Sequence, residues 1–162
     1  MSPAEDATPS GTAVVGPVTG RGALCEDLLR GLPDWFGIEA SIVEYRRTVD
    51  ELPTLLAEVD GEAAGLLALR PTGPAALELH VIAVRREHHR RGIGRALVDR
   101  AAAYAREEGF SLLHVKTLAP EIEDEGYAGT RAFYEAMGFV PLEVIPAVWG
   151  PENPCLIMVR PL

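Results

Sequence analysis

The sequence predicts an α/β fold of the mixed α+β kind. Three observations carry that expectation. Apolar runs of strand length and amphipathic helical stretches follow one another in the order β-αα-βββ-α-β-α-ββ. Three consecutive strands of the first half are joined by tight turns rather than helices. At one strand-to-helix junction, glycines and arginines concentrate in a few residues. Apolar residues make up 48% of the 162 and charged residues 24%, a balance that builds a buried core and excludes a disordered chain.

Residues 1–12 include Pro3, Pro9, Ser10 and Gly11 and are expected to form a flexible N-terminal tail, leaving 13–162 as a single domain. Ala13–Val18 reads as a first strand. Ala23–Leu32 suits a helix with Leu24, Leu28 and Leu29 on one face, broken by Pro33-Asp34-Trp35-Phe36-Gly37. A second helix is expected over Glu39–Asp50. Leu55–Val59 and Glu62–Arg70 flank Asp60-Gly61, a favoured hairpin turn. The strand Ala76–Val84 leads into the arginine-glycine segment, and a helix follows to about Glu108, with Ile93, Leu97, Ala101 and Tyr104 as its apolar stripe and Gly109 as its stop. Ser111–Leu118 is a strand and 119–128 an acidic loop. Thr130–Met137 is a short helix closed by Gly138, and Phe139–Val148 and Pro154–Arg160 are the last two strands.

The net charge of −9 argues against a nucleic-acid partner. No apolar run approaches a bilayer span, and the N-terminus lacks the basic-then-apolar order of a secretory signal, so a cytoplasmic protein without a membrane partner is expected. Cys25 and Cys155 fit no metal spacing, so no metal is expected, and in a reducing compartment both read as free thiols. Lys116, the sole lysine among fifteen basic residues, reads as compositional bias.

Against this acidic background, Arg85, Arg86, Arg90, Arg91 and Arg95 fall in one window around His89-Arg90-Arg91-Gly92-Ile93-Gly94. Backbone N–H groups and the helix dipole favour an anion at a helix N-terminus. Arginines are unfavourable to the dipole at that end unless an anion lies between them, so a phosphate-bearing ligand is expected at 89–95. A P-loop is excluded because no Gly-Lys-Ser/Thr follows; a dinucleotide fingerprint is excluded because Leu97 stands where the third glycine belongs. The competing reading is a solvated arginine face with glycines that only turn the chain.

Residues 76–110 resemble the acetyl-coenzyme A motif of the GNAT superfamily of N-acetyltransferases, whose loop reads Gln/Arg-x-x-Gly-x-Gly/Ala, with His89 in the first position here. Phe133-Tyr134-Glu135-Ala136-Met137-Gly138-Phe139 resembles the family's second hallmark, Phe-Tyr-x-x-x-Gly-Phe, although Tyr127 stands where the family often has asparagine. The resemblance implies a mostly antiparallel sheet of about seven strands, splayed at the cofactor site and flanked by about four helices. It implies acetyl-CoA as acyl donor. Pantetheine would contact the backbone of Ile82 and Val84, and a backbone N–H near Ala83 would polarise the acetyl carbonyl. The pyrophosphate would lie on His89, Arg90, Arg91, Gly92, Ile93 and Gly94, with Arg95, Tyr127 and Arg131 also at the cofactor.

For the chemistry, Tyr134 is the candidate acid, because a phenol can protonate a departing thiolate while remaining protonated at neutral pH. The competing reading is a core tyrosine. Glu78 is the candidate base on the strand position where many family members carry glutamate, with His80 two residues on and projecting from the same side. Both could equally be a solvated face or a structural pair. Neither cysteine has a local base, so direct attack is favoured over an acyl-enzyme.

Trp35, Phe36 and Trp149 are the candidate contacts to a cationic amine, against ordinary packing as the alternative. Glu121–Glu125 could attract a polycation or be a solvated loop. The expected activity is acetyl transfer to a primary amine of a small molecule. The alternatives are a non-catalytic coenzyme A-binding module and a protein N-terminal or lysine acetyltransferase. A homodimer is compatible with the resemblance, though no residue fixes an interface.

Overall fold

In the computed structural model, which describes residues 11–162, seven strands form one sheet in the order β1-β2-β3-β4-β5-β7-β6. The strands are β1 (Thr12–Val18), β2 (Thr54–Val59), β3 (Glu62–Pro71), β4 (Ala76–Val84), β5 (Leu112–Leu118), β6 (Val140–Ile145) and β7 (Cys155–Pro161). The helices are α1 (Gly22–Arg30), α2 (Glu39–Glu51), α3 (Ile93–Glu107) and α4 (Glu125–Ala136). Most of the tail expected over 1–12 lies outside the described residues, and Thr12 already belongs to β1. The chain divides into two compact units, one of residues 11–70 and Val81–Ala103, the other of Pro71–His80 and Tyr104–Leu162.

The first unit is built on the α1–α2 pair. Cys25, Leu28 and Leu29 of α1, Leu32, and Ile42 and Val49 of α2 form one buried cluster with Leu56, Leu66, Ala68, Val81 and Ala83 of the strands. Burial of these side chains is the main stabilising contribution, about 1.5–3 kcal/mol for each large one. α1 begins at Gly22 for a packing reason, since a Cβ there would lie 2.3 Å from the Arg46 carbonyl oxygen. The Gly22 N–H instead donates to Asp50 Oδ1 at 3.1 Å, joining the start of α1 to α2. The Asp60-Gly61 turn has φ of 51° and 83°, the two positive values a two-residue I′ turn requires, and sets Val59 opposite Glu62. Gly65 then allows close approach to β4, where any Cβ would stand 2.9 Å from the Ala83 carbonyl oxygen.

In the second unit, β5 pairs antiparallel with β7 along its whole length, and β7 pairs with β6. The parallel β4–β5 ladder joins Ala76, Leu77 and Glu78 to Leu112, Leu113 and His114. β4 itself continues through Leu79–Val84.

Three sequence expectations shift. The buried stripe of α3 comprises Ile93, Leu97, Val98, Ala101, Ala102 and Ala105, with Tyr104 only half-buried. Gly109, at φ 86°, closes that helix as expected. α4 starts at Glu125 rather than Thr130, because Asp124 caps it by accepting the Tyr127 N–H at 3.0 Å and Glu125 complements the dipole in the first turn. β6 stops at Ile145 because Pro146 cannot donate to the ladder.

Candidate active site

The first unit presents the arginine-glycine loop. After β4 the chain makes one 3-10 turn at Arg86–His88, passes His89 in an extended conformation, and enters α3. Arg90 (φ 61°) and Gly92 (φ 78°) both occupy the left-handed region, which turns successive peptide groups. The Ala96 N–H bonds the Gly92 carbonyl at 3.0 Å, so Gly92 is the residue from which α3 springs. The N–H groups just after it have no partner within the helix.

The loop's side chains divide into two sets. Arg85 donates to the Ala63 carbonyl (2.8 Å) and to Asp27 (2.9 Å), and Arg86 to Asp34 (3.0 Å), so these two arginines fasten the loop to the body of the unit. His89 Nε2 donates to the Val84 carbonyl at 2.7 Å, with the Trp35 ring edge-on to the imidazole at 5.8 Å. Arg90 and Arg91 are exposed, and no carboxylate among the described residues pairs with either. Arg95, Ile82, Val84 and Gly94 are half-buried, while Ala83 and Ile93 are buried. The arrangement fits a polyanion: positive-φ backbone, a helix N-terminus and two unneutralised guanidinium groups.

Trp35 and Phe36 pack on the hydrophobic cluster of this unit, and Phe36 meets Tyr45 edge-on at 5.9 Å. Packing therefore accounts for much of both residues. Trp149 belongs to the second unit and is 40% exposed.

The second unit holds the titratable groups. Glu78 is 2% exposed in β4. Its Oε2 receives Lys116 Nζ at 2.8 Å, and its Oε1 lies 3.4 Å from His80 Nδ1, at the long end of hydrogen bonding. The register places His114 opposite Glu78, and His114 Nε2 lies 2.7 Å from the Thr72 hydroxyl. Burial pushes Glu78 up, but its hydrogen bonds to His80 and Lys116 and their charges outweigh that, holding its carboxyl down at about 2. Burial lowers His114, with Glu78 opposing and Lys116 adding to the effect.

Lys116 is the residue that sequence reading missed. The signal was present: the chain's one lysine follows His114 by two positions, on the strand that pairs with the one carrying Glu78 and His80.

Glu78 also sets a pH dependence of stability. Its folded value lies below the ordinary glutamate value of about 4.3. Its contribution is therefore complete above that value and is lost as pH falls towards about 2, because the unfolded chain takes up the proton first. The unfolding free-energy difference between wild type and Glu78→Gln, from urea titrations at pH 5 to 2, is expected to shrink by an amount on the order of 3 kcal/mol. A difference independent of pH would show that Glu78 titrates normally.

Tyr134 is 5% exposed in α4, with Phe133 and Phe139 both at 5.5 Å ring separation. The Phe139 N–H donates to the Tyr134 carbonyl at 3.0 Å, and Gly138, at φ 91°, turns the chain between them. Arg131 donates to the Leu118 carbonyl at 2.7 Å, which holds the end of β5. Burial and Asp124 raise the Tyr127 phenol. Burial pushes the Cys25 thiol up to about 12 and also raises Cys155, so neither free cysteine is an activated nucleophile. Among the described residues no cluster of metal-ligating side chains forms, and no helix is long and apolar enough to cross a membrane.

A strand, a glycine turn and a helix N-terminus set in one seven-stranded α/β sheet form an arrangement suited to a phosphate-bearing ligand. The profile of the acetyltransferase (GNAT) family matches residues 22–139, and the chain belongs to that family. It is an acyltransferase that takes acetyl-CoA as donor. A GNAT-family acetyltransferase of Desulfovibrio desulfuricans superposes with a TM-score of 0.78 at 22% identity, over 93% of this chain and 98% of that one. A GNAT acetyltransferase of Elizabethkingia anophelis with acetyl-CoA bound gives 0.74 at 17% identity, over 94% and 99%. An aminoglycoside 6′-N-acetyltransferase complexed with coenzyme A gives 0.69 at 19%, over 92% and 96%. No curated protein sequence matches the chain.

Proposed function

We propose that residues 13–162 act as one cytoplasmic acetyltransferase domain that moves the acetyl group of acetyl-CoA to a primary amine of a small molecule by direct attack. The observation that carries this is the loop His89–Gly94. Its left-handed backbone at Arg90 and Gly92 and its exposed Arg90 and Arg91 suit the diphosphate of coenzyme A. Arg95 adds positive charge, and the backbone of Ile82, Ala83 and Val84 offers amide groups to the pantetheine and the thioester carbonyl.

Proton handling falls to the second unit. A carboxylate held at about 2 is a weak proton acceptor, so the base in this reading is His80 rather than Glu78. An ionised carboxylate only accepts hydrogen bonds, so the His80 proton sits on Nδ1 facing Glu78, and the lone pair lies on Nε2. His80 takes a proton from the acceptor ammonium, which frees the nitrogen lone pair to attack the thioester carbonyl; as the C–S bond breaks, Tyr134 gives its proton to the leaving thiolate and is reprotonated by the second proton released from the new amide nitrogen. Trp35, Phe36 and Trp149 supply aromatic surface to the acceptor. The net charge of −9 supports a cationic acceptor. An acidic surface gives no support to a nucleic-acid partner, and a homodimer fits equally well.

The test is thiol release from acetyl-CoA with a panel of small amines, amino sugars, polyamines and peptides. Turnover with small amines is the expected result. Turnover confined to peptides would overturn the acceptor class, and tight coenzyme A binding without release across the panel would overturn catalysis.

A further inference from the structure

We infer that Lys116 is a positioning residue for acetyl transfer: its ammonium fixes the Glu78 carboxylate, and through it the tautomer and orientation of His80. The inference rests on the reading of His80 as the proton acceptor.

The geometry comes first. Glu78 is almost wholly buried, and a buried carboxylate must be paired and hydrogen-bonded or it becomes protonated. Its two oxygens face two different partners, Oε2 the Lys116 ammonium at 2.8 Å and Oε1 the His80 ring at 3.4 Å. The first contact is the shorter and carries a full charge, so it sets where the carboxylate sits. The second depends on it. Without the ammonium, burial favours a neutral carboxylic acid. Such an acid no longer guarantees a proton on His80 Nδ1, because it can donate as well as accept.

Chemistry and composition agree. The chain uses arginine at fourteen of its fifteen basic positions and lysine only here. A guanidinium fork would engage both carboxylate oxygens at once and displace the imidazole. An ammonium is a point charge that satisfies one oxygen and leaves the other to His80. Lys116 and His114 alternate on β5, so both side chains lie on the sheet face that the register gives to Glu78. The groups bearing on Glu78 are thus His80 on its own strand, and His114, Lys116 and, from β7, the Cys155 thiol. Among them Lys116 makes the shortest contact, its ammonium 2.8 Å from Oε2.

The experiment compares wild type, Lys116→Met, Lys116→Arg and His80→Gln by steady-state kinetics across pH 5.5 to 9, with thermal melts and calorimetric coenzyme A binding on each. Lys116→Met should lower kcat by about 10- to 100-fold with coenzyme A affinity unchanged. Removing a positive charge favours every protonated state of the Glu78–His80 pair, so the acidic limb of kcat/KM should move up by about one pH unit. Lys116→Arg should restore the limb, which depends on charge, but not the full kcat, which depends on leaving Oε1 to the imidazole. A folded Lys116→Met protein with wild-type kcat and an unmoved limb overturns the inference, provided His80→Gln is inactive. If His80→Gln itself keeps wild-type activity, it is the assignment of His80 that fails. Should Lys116→Met not fold, Lys116→Arg decides alone, and full wild-type kinetics in that variant overturns the inference.

Discussion

Tyr134→Phe is expected to lower kcat by about 10- to 1000-fold, the range of a positioned general acid, while coenzyme A affinity stays within about twofold. The substitution removes one oxygen and keeps the ring that packs between Phe133 and Phe139. A core role predicts a different outcome. Loss of a buried hydroxyl that only satisfied a neighbour would cost about 1 kcal/mol of stability and leave turnover unchanged. Thermal melts and steady-state kinetics on one preparation separate the two cases, because the acid role appears in kcat and the packing role in the melting temperature. The effect should also depend on the acyl donor. A thioester with a better leaving thiolate needs less protonation, so the ratio of wild-type to Tyr134→Phe rates should fall as the leaving thiol becomes more acidic. A ratio that does not respond would remove Tyr134 from thiolate departure.

How much of this site is legible in the chain depends on how local its cause is. Asp60-Gly61 announces its turn because the two residues that must adopt positive φ are adjacent and of the right types. Gly92 does the same for the entry to α3. The start of α4 was legible in principle, since Asp124 lies three positions before the residue whose N–H it caps, but a run of acids looks like solvated loop until its one capping member is recognised. The state of Glu78 was not legible. Its type and strand position suggest a base, whereas its ionisation follows from hydrogen bonds to His80 and, across a parallel ladder, to Lys116, which outweigh burial by residues distant in sequence. A carboxylate can be a proton acceptor or a permanent anion, and only its partners decide which. The division of the arginines is of the same kind. Nothing in the run Arg85-Arg86 distinguishes those two from Arg90 and Arg91 until Asp27, Asp34 and the Ala63 carbonyl are placed against them.

Gly92→Val should weaken coenzyme A binding by about 5- to 30-fold, and the reason is backbone rather than side-chain chemistry. At φ 78° glycine meets no Cβ penalty, whereas a β-branched residue there costs about 1–2 kcal/mol, with every 1.4 kcal/mol worth about tenfold in affinity. The chain relieves that strain by rotating the peptide groups on either side, and those are the groups that would face the diphosphate. General destabilisation is the competing explanation, and α3 provides its own control. Gly109, at the opposite end of the helix, has φ 86° and open space around any added Cβ. Gly109→Val therefore imposes a similar backbone cost without touching the loop. Isothermal calorimetry with coenzyme A and with a dephosphorylated, diphosphate-free pantetheine thiol compares the two variants. Gly92→Val should lose affinity for coenzyme A but not for the truncated thiol, and Gly109→Val should lose affinity for neither while melting at a lower temperature. Equal weakening by both substitutions would mean that the loop acts only through the stability of α3, and the diphosphate would have to be sought elsewhere on the chain.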